Sequence, residues 1–301
     1  MNDNIKLNNL KVCLNAMFQC FAKGEYENAL KYALCVLEIR EKTLPTDHPN
    51  IGKSHYNTGV IYSELGKYEE ALEHYTRALE IRKNTLPPDH PDIGKSHYNT
   101  GVVYSELGKH EEALEHCTRA LEIRKNTLPP DHPDIATTCN YIGYVYSHLC
   151  KYEEALEYLT TSLEIYKKVL PPDHPDIAFP INNIGVVYTD LGKYEEALEY
   201  LTISLGIRKK SLPPNHRNIA TTHNNFGIVY RRLGKYEKAL EHYTTALEIR
   251  KNTLPKNHPY IANLHTNIGK LYTYVGKYEE ALKECVTVYM PPRNEHSRRR
   301  N

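Results

Sequence analysis

Along residues 51–92, apolar side chains recur at helical spacing in two runs separated by a glycine. In the first run Ile51, Thr58, Ile61 and Leu65 fall on one stripe, with Gly59 and Tyr62 beside it. In the second, Ala71, Leu72, Tyr75, Ala78, Leu79 and Leu86 form the buried set, and Glu73 and Arg77 make an i,i+4 pair on the wet side. The pattern predicts helix A over residues 49–65 and helix B over 68–85. Pro49 suits a first helical position, with Asp47 or His48 capping in front of it. Gly66 ends helix A because glycine enters the left-handed region without steric cost. Leu86-Pro87-Pro88 stops helix B, since proline has no amide to donate.

The whole unit then repeats. Ile93 to Asp134 copies Ile51 to Asp92 with three changes, at Val103, His110 and Cys117. The frame returns from Ile135, Ile177, Ile219 and Ile261. Self-similarity at such a period predicts an all-α stack of antiparallel helix pairs, a surface rather than a pocket. Residues 1–48 read as a degenerate N-terminal repeat or cap, 49–290 as six tandem 42-residue units, and 291–301 as a disordered basic tail.

Gly59, Tyr62, Gly66, Tyr68, Ala71, Tyr75 and Ala78 resemble, in type and spacing, the signature of the tetratricopeptide repeat. The unit is about eight residues longer than that family's common form. The extension from Ala78 to Ile93 is similar to the long repeats of kinesin light chains and related adaptors. The resemblance implies a right-handed superhelical solenoid whose A helices line a concave groove. It further implies a cytoplasmic, non-catalytic scaffold for proteins or short linear peptides.

Individual units depart from the frame. Leu7, Leu10, Leu14, Met17, Phe18 and Phe21 make a helical stripe in the worn first repeat, and Gly24, Tyr26, Ala29 and residues 37–40 fall in register with later units. In the third unit Tyr141 replaces asparagine and Cys150 replaces the turn glycine. Pro180 lies well inside helix A of the fourth, so that helix starts late or kinks. Gly185 and Ala197 are expected to meet where its two helices cross. The last helix B carries Leu282, Val286 and Tyr289 with no capping helix after it, which predicts self-association through that helix. Arg298–Arg300 read as part of a solvated terminus.

Charge and composition narrow the function. A formal net charge of +1 offers no global field for nucleic acid or an anionic membrane, and no apolar run reaches the length of a span. The seven cysteines show no metal spacing and read as reduced packing residues. His48, His90, His132, His174, His216 and His258 recur once per unit, too far apart to share an ion and well placed to cap helices. His55, His97, His223 and His265 read as inter-helix packing residues. Glu69-Glu70 and its equivalents meet the positive end of helix B. No phosphate loop, nucleophile elbow or HExxH motif is present, so neither enzymatic activity nor a cofactor is expected.

What remains is a stripe on helix A at i, i+4, i+7 and i+11: Lys53, Asn57, Val60, Glu64, then Lys95, Asn99, Val102, Glu106. Tyr141, Phe179, Asn183, Asn225, Asn267 and Lys270 continue it, with Arg231 and Arg232 adding positive charge. Asparagine offers donor and acceptor to an extended backbone. Similar asparagines and basic residues hold acidic peptides in kinesin light chains, so a short, acidic peptide is the partner the resemblance implies. The chaperone-tail carboxylate clamp fits less well, because Tyr56, Val60, Tyr98 and Val102 occupy its other positions. Two alternatives remain open: a kinesin light chain-type cargo adaptor in microtubule transport, and the regulatory arm of a multidomain enzyme. The first expects a coiled coil for which the worn repeat leaves no room.

Overall fold

The computed structural model describes residues 2–289 and, among them, contains fourteen α-helices, one 3₁₀ turn and no strand. The chain divides into two compact bodies, Met1–Pro171 and Pro172–Asn301. The first holds α1 (Asn2–Ala22), α2 (Tyr26–Thr43), α3 (Pro49–Glu64), α4 (Tyr68–Thr85), α5 (Pro91–Glu106), α6 (His110–Thr127), α7 (Pro133–His148) and α8 (Tyr152–Val169). The second holds the 3₁₀ turn Pro175–Ile177, α9 (Ala178–Asp190), α10 (Tyr194–Ser211), α11 (Arg217–Arg232), α12 (Tyr236–Thr253), α13 (Pro259–Tyr274) and α14 (Tyr278–Tyr289). Odd-numbered helices are the A members, even-numbered ones the B members. In each body every pair packs on itself and on the next, which is the fold class the repeat predicts.

The boundaries follow the sequence signals closely. The once-per-unit histidines do cap: Nδ1 of His48, His90 and His132 each accepts from the backbone N–H two residues on at 3.1 Å, and His174, His216 and His258 repeat the contact. Asp47 instead pairs with Arg77 at 3.8 Å. Arg77 also reaches forward to Glu80 at 2.7 Å rather than back to Glu73, a correction to the expected wet-side pair. Cys150 adopts φ 58° at the turn where the other units carry glycine, a conformation that costs a side chain on the order of 1 kcal/mol. Pro180 resolves as a late start: the 3₁₀ turn takes up Pro175–Ile177, and α9 begins at Ala178 with the proline in its first turn.

Within a pair the helices approach until there is no room for a side chain. A Cβ at Gly143 would lie 2.6 Å from Leu159 Cγ and 2.9 Å from the Ala155 carbonyl. At the fourth unit the same vector from Gly185 meets the Ala197 carbonyl at 3.3 Å, so those two residues do meet. The N-terminal pair is built differently. Met17 fills the place of the crossing glycine and packs on Ala29, Leu30 and Ala33. Leu14 and Phe21 join that cluster, but Phe18 turns outward and is 54 % exposed; Cys20 takes part instead. At the other end Leu282 and Val286 are exposed, while the side chains of Leu7 and Tyr289 and the whole of 291–301 lie outside the described residues.

Between pairs the joint is an arginine, buried at Arg40, Arg82 and Arg208 and half-buried at Arg124. Arg82, on α4, donates from one nitrogen to the Asp92 carbonyl at 3.0 Å and to Ser96 Oγ at 2.6 Å, pinning the first turns of α5. Arg40 does the same to Asn50 and Ser54 on α3, Arg124 to Asp134 and Thr138 on α7, and Arg208 to Asn218 and Thr222 on α11. Aromatic rings of the A helices lie under the guanidinium groups: Arg82 is 4.5 Å from the Tyr56 ring centre and Arg124 4.8 Å from Tyr98. Arg208 is 1 % exposed, and burial pushes its guanidinium pKa down to about 10.

Two variants test these joints. Gly143→Ala should destabilise by about 1–3 kcal/mol, through overpacking against a backbone carbonyl that cannot give way. Arg208→Met should cost about 1–3 kcal/mol, because the Asn218 carbonyl and Thr222 hydroxyl lose their buried donor. Both are measured by chemical denaturation, and a midpoint equal to the parent's would contradict the packing described.

Candidate functional site

The A helices of each body lie side by side, and side chains one repeat apart connect them. In the first body Asn99 Nδ2 donates to the Tyr56 hydroxyl at 2.5 Å, and the Tyr141 hydroxyl donates to the Val102 carbonyl at 3.3 Å. In the second, Asn225 Nδ2 donates to Asn182 Oδ1 at 3.2 Å and Asn267 Nδ2 to Asn224 Oδ1 at 3.3 Å. Asn183 accepts from Asn182 at 3.3 Å. Within each body these asparagine side chains lie between neighbouring A helices, and several of their amides already serve the joint between repeats.

On that face of the first body Lys53 and Lys95 are exposed, and Asn57, Val60, Asn99 and Val102 are half-buried. Lys95 Nζ sits 5.3 Å over the Tyr56 ring, which holds the cation beside an apolar surface. At the third unit the face turns aromatic. Tyr98 and Tyr141 meet edge-on at 5.7 Å, Tyr141 and Tyr144 lie 5.4 Å apart, and Tyr144 leads to His148 at 4.5 Å. His148 in turn stacks on His110, the first residue of α6, at 4.7 Å. Tyr144 and His148 lie on the stripe, where helical spacing at i+3 and i+7 from Tyr141 already places them in the sequence.

The second body presents Phe179, Val186 and Ile228 half-buried and Lys270 exposed. Phe179 lies 5.2 Å beneath Arg208, so part of its ring is already covered. The two arginines separate. Arg232 reaches back one repeat, to the Thr189 carbonyl at 3.2 Å and Asp190 Oδ1 at 2.8 Å. Arg231 faces the Tyr243 phenol on α12, and its Nε is buried. Its register explains this: Ser105, Ser147 and Thr189 occupy the same place in other units and are buried too. Arg232 is paired with a carboxylate and Arg231 turns toward α12, so the two do not form one positive patch.

Between A and B helices lies a second polar layer. His55 Nδ1 contacts His74 Nδ1 at 2.9 Å, His97 meets His116 at 3.2 Å, and His223 meets His242 at 2.9 Å. His265 contacts Glu284 in the last pair at 2.5 Å. Burial first, then the partner histidine and nearby cations, push His55 down to about 4, His97 to about 3 and His223 to about 4. These are packing histidines, as the sequence reading expected. Among the described residues no group of three or more His, Cys, Asp or Glu side chains could hold a metal ion, and no helix is long and apolar enough to cross a membrane.

A family model described as tetratricopeptide repeat matches six overlapping segments, 14–84, 55–126, 92–168, 134–210, 176–252 and 218–284. No curated protein sequence matches. Among solved structures, nearly identical TPR-like repeats attributed to a kinesin light chain of Podosopora anserina are 24 % identical. That match covers 67 % of this chain and 94 % of that one, with a TM-score of 0.56. A Rap protein complexed with competence and sporulation factor is 17 % identical over 93 % of this chain and 75 % of its own, with a TM-score of 0.66. Aspartyl phosphate phosphatase F from Bacillus subtilis is 14 % identical over 94 % and 70 %, with a TM-score of 0.70. At these identities the likeness is one of fold.

The histidine pairs generate a pH prediction. Unfolded histidines protonate near 6.5, whereas the folded pairs stay neutral to much lower pH. The unfolded chain therefore binds more protons below 6.5, and stability falls as pH drops from about 6.5 toward 4. Tm should be flat from pH 8 to about 7 and then decline, and His97→Gln should make the decline shallower. A parent profile that stays flat to pH 4.5 would contradict the burial of these rings.

Proposed function

Because the chain belongs to the tetratricopeptide repeat family, we propose that it is a non-catalytic, cytoplasmic scaffold holding a protein or a short peptide on its A-helix faces. The observation that supports this most directly is the state of the A-helix stripe: unit after unit it is half-buried, and it carries lysine, asparagine, aliphatic and aromatic side chains together. Val60 and Tyr141 pack on the core with part of their surface, and the part that stays open gives the face an apolar centre. A protein of the same fold complexed with a factor, the Rap protein, is in keeping with this use of the scaffold.

The finer reading is an extended peptide with acidic residues. In the first body the acidic side chains would meet Lys53 and Lys95, and an apolar side chain would settle on Tyr141 and Tyr144. Lys53 and Lys95 are better placed than Arg232, which is paired with Asp190, and Arg231, whose Nε is buried beside the Tyr243 phenol. A kinesin light chain-type cargo adaptor is the second reading, favoured by the likeness to the Podosopora anserina repeats.

Lys53→Glu with Lys95→Glu should weaken binding of an acidic peptide by about tenfold or more, roughly 1.4 kcal/mol, and leave the helical content unchanged. Salt should weaken the parent's binding, since exposed charges are screened beyond about 8 Å at physiological strength. The measurement is fluorescence anisotropy on a peptide selected from a displayed library, followed by cross-linking. Cross-links confined to the B helices would overturn the assignment of the binding face.

A further inference from the structure

The N-terminal helix pair departs from its sisters in chemistry as well as packing. Cys13 on α1 and Cys35 on α2 lie with their sulfur atoms 3.3 Å apart, and both are half-buried. One repeat later the same places hold His55 and Arg77, whose electrostatic coupling marks the two positions as facing neighbours. The other thiols differ. Cys117 and Cys139 are buried in the core of the first body, where burial pushes them up to about 12 and about 11, and Cys150 and Cys285 are exposed.

We propose that Cys13 and Cys35 form a reversible disulfide that staples α1 to α2, with a hydroperoxide as oxidant and a small thiol as reductant. A disulfide bond is about 2.05 Å long, so the sulfurs must close by about 1.2 Å, within reach of side-chain rotation. One thiolate attacks the peroxide, the O–O bond breaks, and a sulfenic acid forms as the alcohol or water leaves. The second thiol attacks that sulfur, the S–S bond forms, the S–O bond breaks, and water departs. The pair loses two protons and two electrons to the peroxide; two molecules of a small thiol restore it and leave as their own disulfide. Burial and the neighbouring Cys35 hold the Cys13 thiol above its ordinary range, so the pair reacts through the small fraction present as thiolate.

The staple matters at this position for a structural reason. The N-terminal pair lacks the crossing glycine, leaves Val12 and Phe18 exposed, and is braced by a neighbour on one side among the described residues. It also carries Arg40, the pin into α3. Tying α1 to α2 limits the opening of this end unit, and oxidation state thereby sets how firmly the first repeat joint is held.

The test treats the reduced full chain with hydrogen peroxide, then maps disulfides by mass spectrometry of a non-reducing digest. The expected result is a peptide joining Cys13 to Cys35, formed within one chain and independent of protein concentration. Amide hydrogen exchange in α1 and α2 should slow by about 100-fold and return on adding a thiol. Cys35→Ser should abolish both effects, and Cys20→Ser should leave both in place. Cys13 and Cys35 remaining as thiols while Cys150 and Cys285 are consumed would overturn the proposal. So would a cross-link that leaves exchange in α1 and α2 unchanged.

Discussion

A repeat array coheres only if each helix pair is fixed to the next, and here a guanidinium does the fixing. Arg40, Arg82, Arg124 and Arg208 each bridge a carbonyl in the first turn of the following A helix and a hydroxyl one turn on. An apolar contact could supply as much burial, but it would not set a register. The planar donor does, because moving the next helix by one residue would leave a buried cation without acceptors. Arg250, whose unit offers Leu264 where the hydroxyl would stand, turns back to Thr221 at 2.7 Å. The step that lacks the arginine altogether has Tyr166, which bonds Thr137 at 2.7 Å, and the residue fourteen positions on is Pro180. Arginine and hydroxyl thus disappear from the sequence together.

The second constraint acts inside each pair. Helix A must come close enough to helix B that a glycine faces a carbonyl, and the space beside that crossing is then filled by whichever side chain the unit supplies: Tyr75, Cys117, Leu159, Leu201 or Tyr243. Close approach also forces the histidines together. A ring pair between two helices gives one nitrogen of each ring a partner without water, at the cost of staying neutral. Stability toward acid and tight helix pairing are therefore two expressions of one geometry.

The proposed binding would use what these joints leave over. The amides of Asn99, Asn225 and Asn267 hold adjacent A helices together, so they shape the face as much as they offer it to a ligand. The exposed Lys53 and Lys95 are less committed, and they share their stripe with Glu64 and Glu106 and with the aromatic string of the third unit.

Helix number, helix ends and the crossing residues were all legible in the sequence, because repetition averages away the accidents of any one unit and leaves the positions that packing requires. Gly66, Pro49, His48 and Ala71 act locally, through φ, a missing amide, a cap or a lack of bulk, and local causes can be read along a chain. The candidate stripe was legible for the same reason, as a periodicity. The partners of long polar side chains were not. Arg231 and Arg232 are adjacent in sequence and looked like one patch, yet about 100° of helical rotation separates them, and one faces Tyr243 while the other reaches Asp190. An arginine and a hydroxyl recur fourteen residues apart at four of the six steps, but only the packed pairs reveal that one is the other's donor. Cys13 and Cys35 likewise read as unrelated packing residues until the antiparallel hairpin brought their sulfurs together. A flexible side chain commits to a partner only when tertiary packing removes water from its alternatives, and that choice is made between helices, not along them.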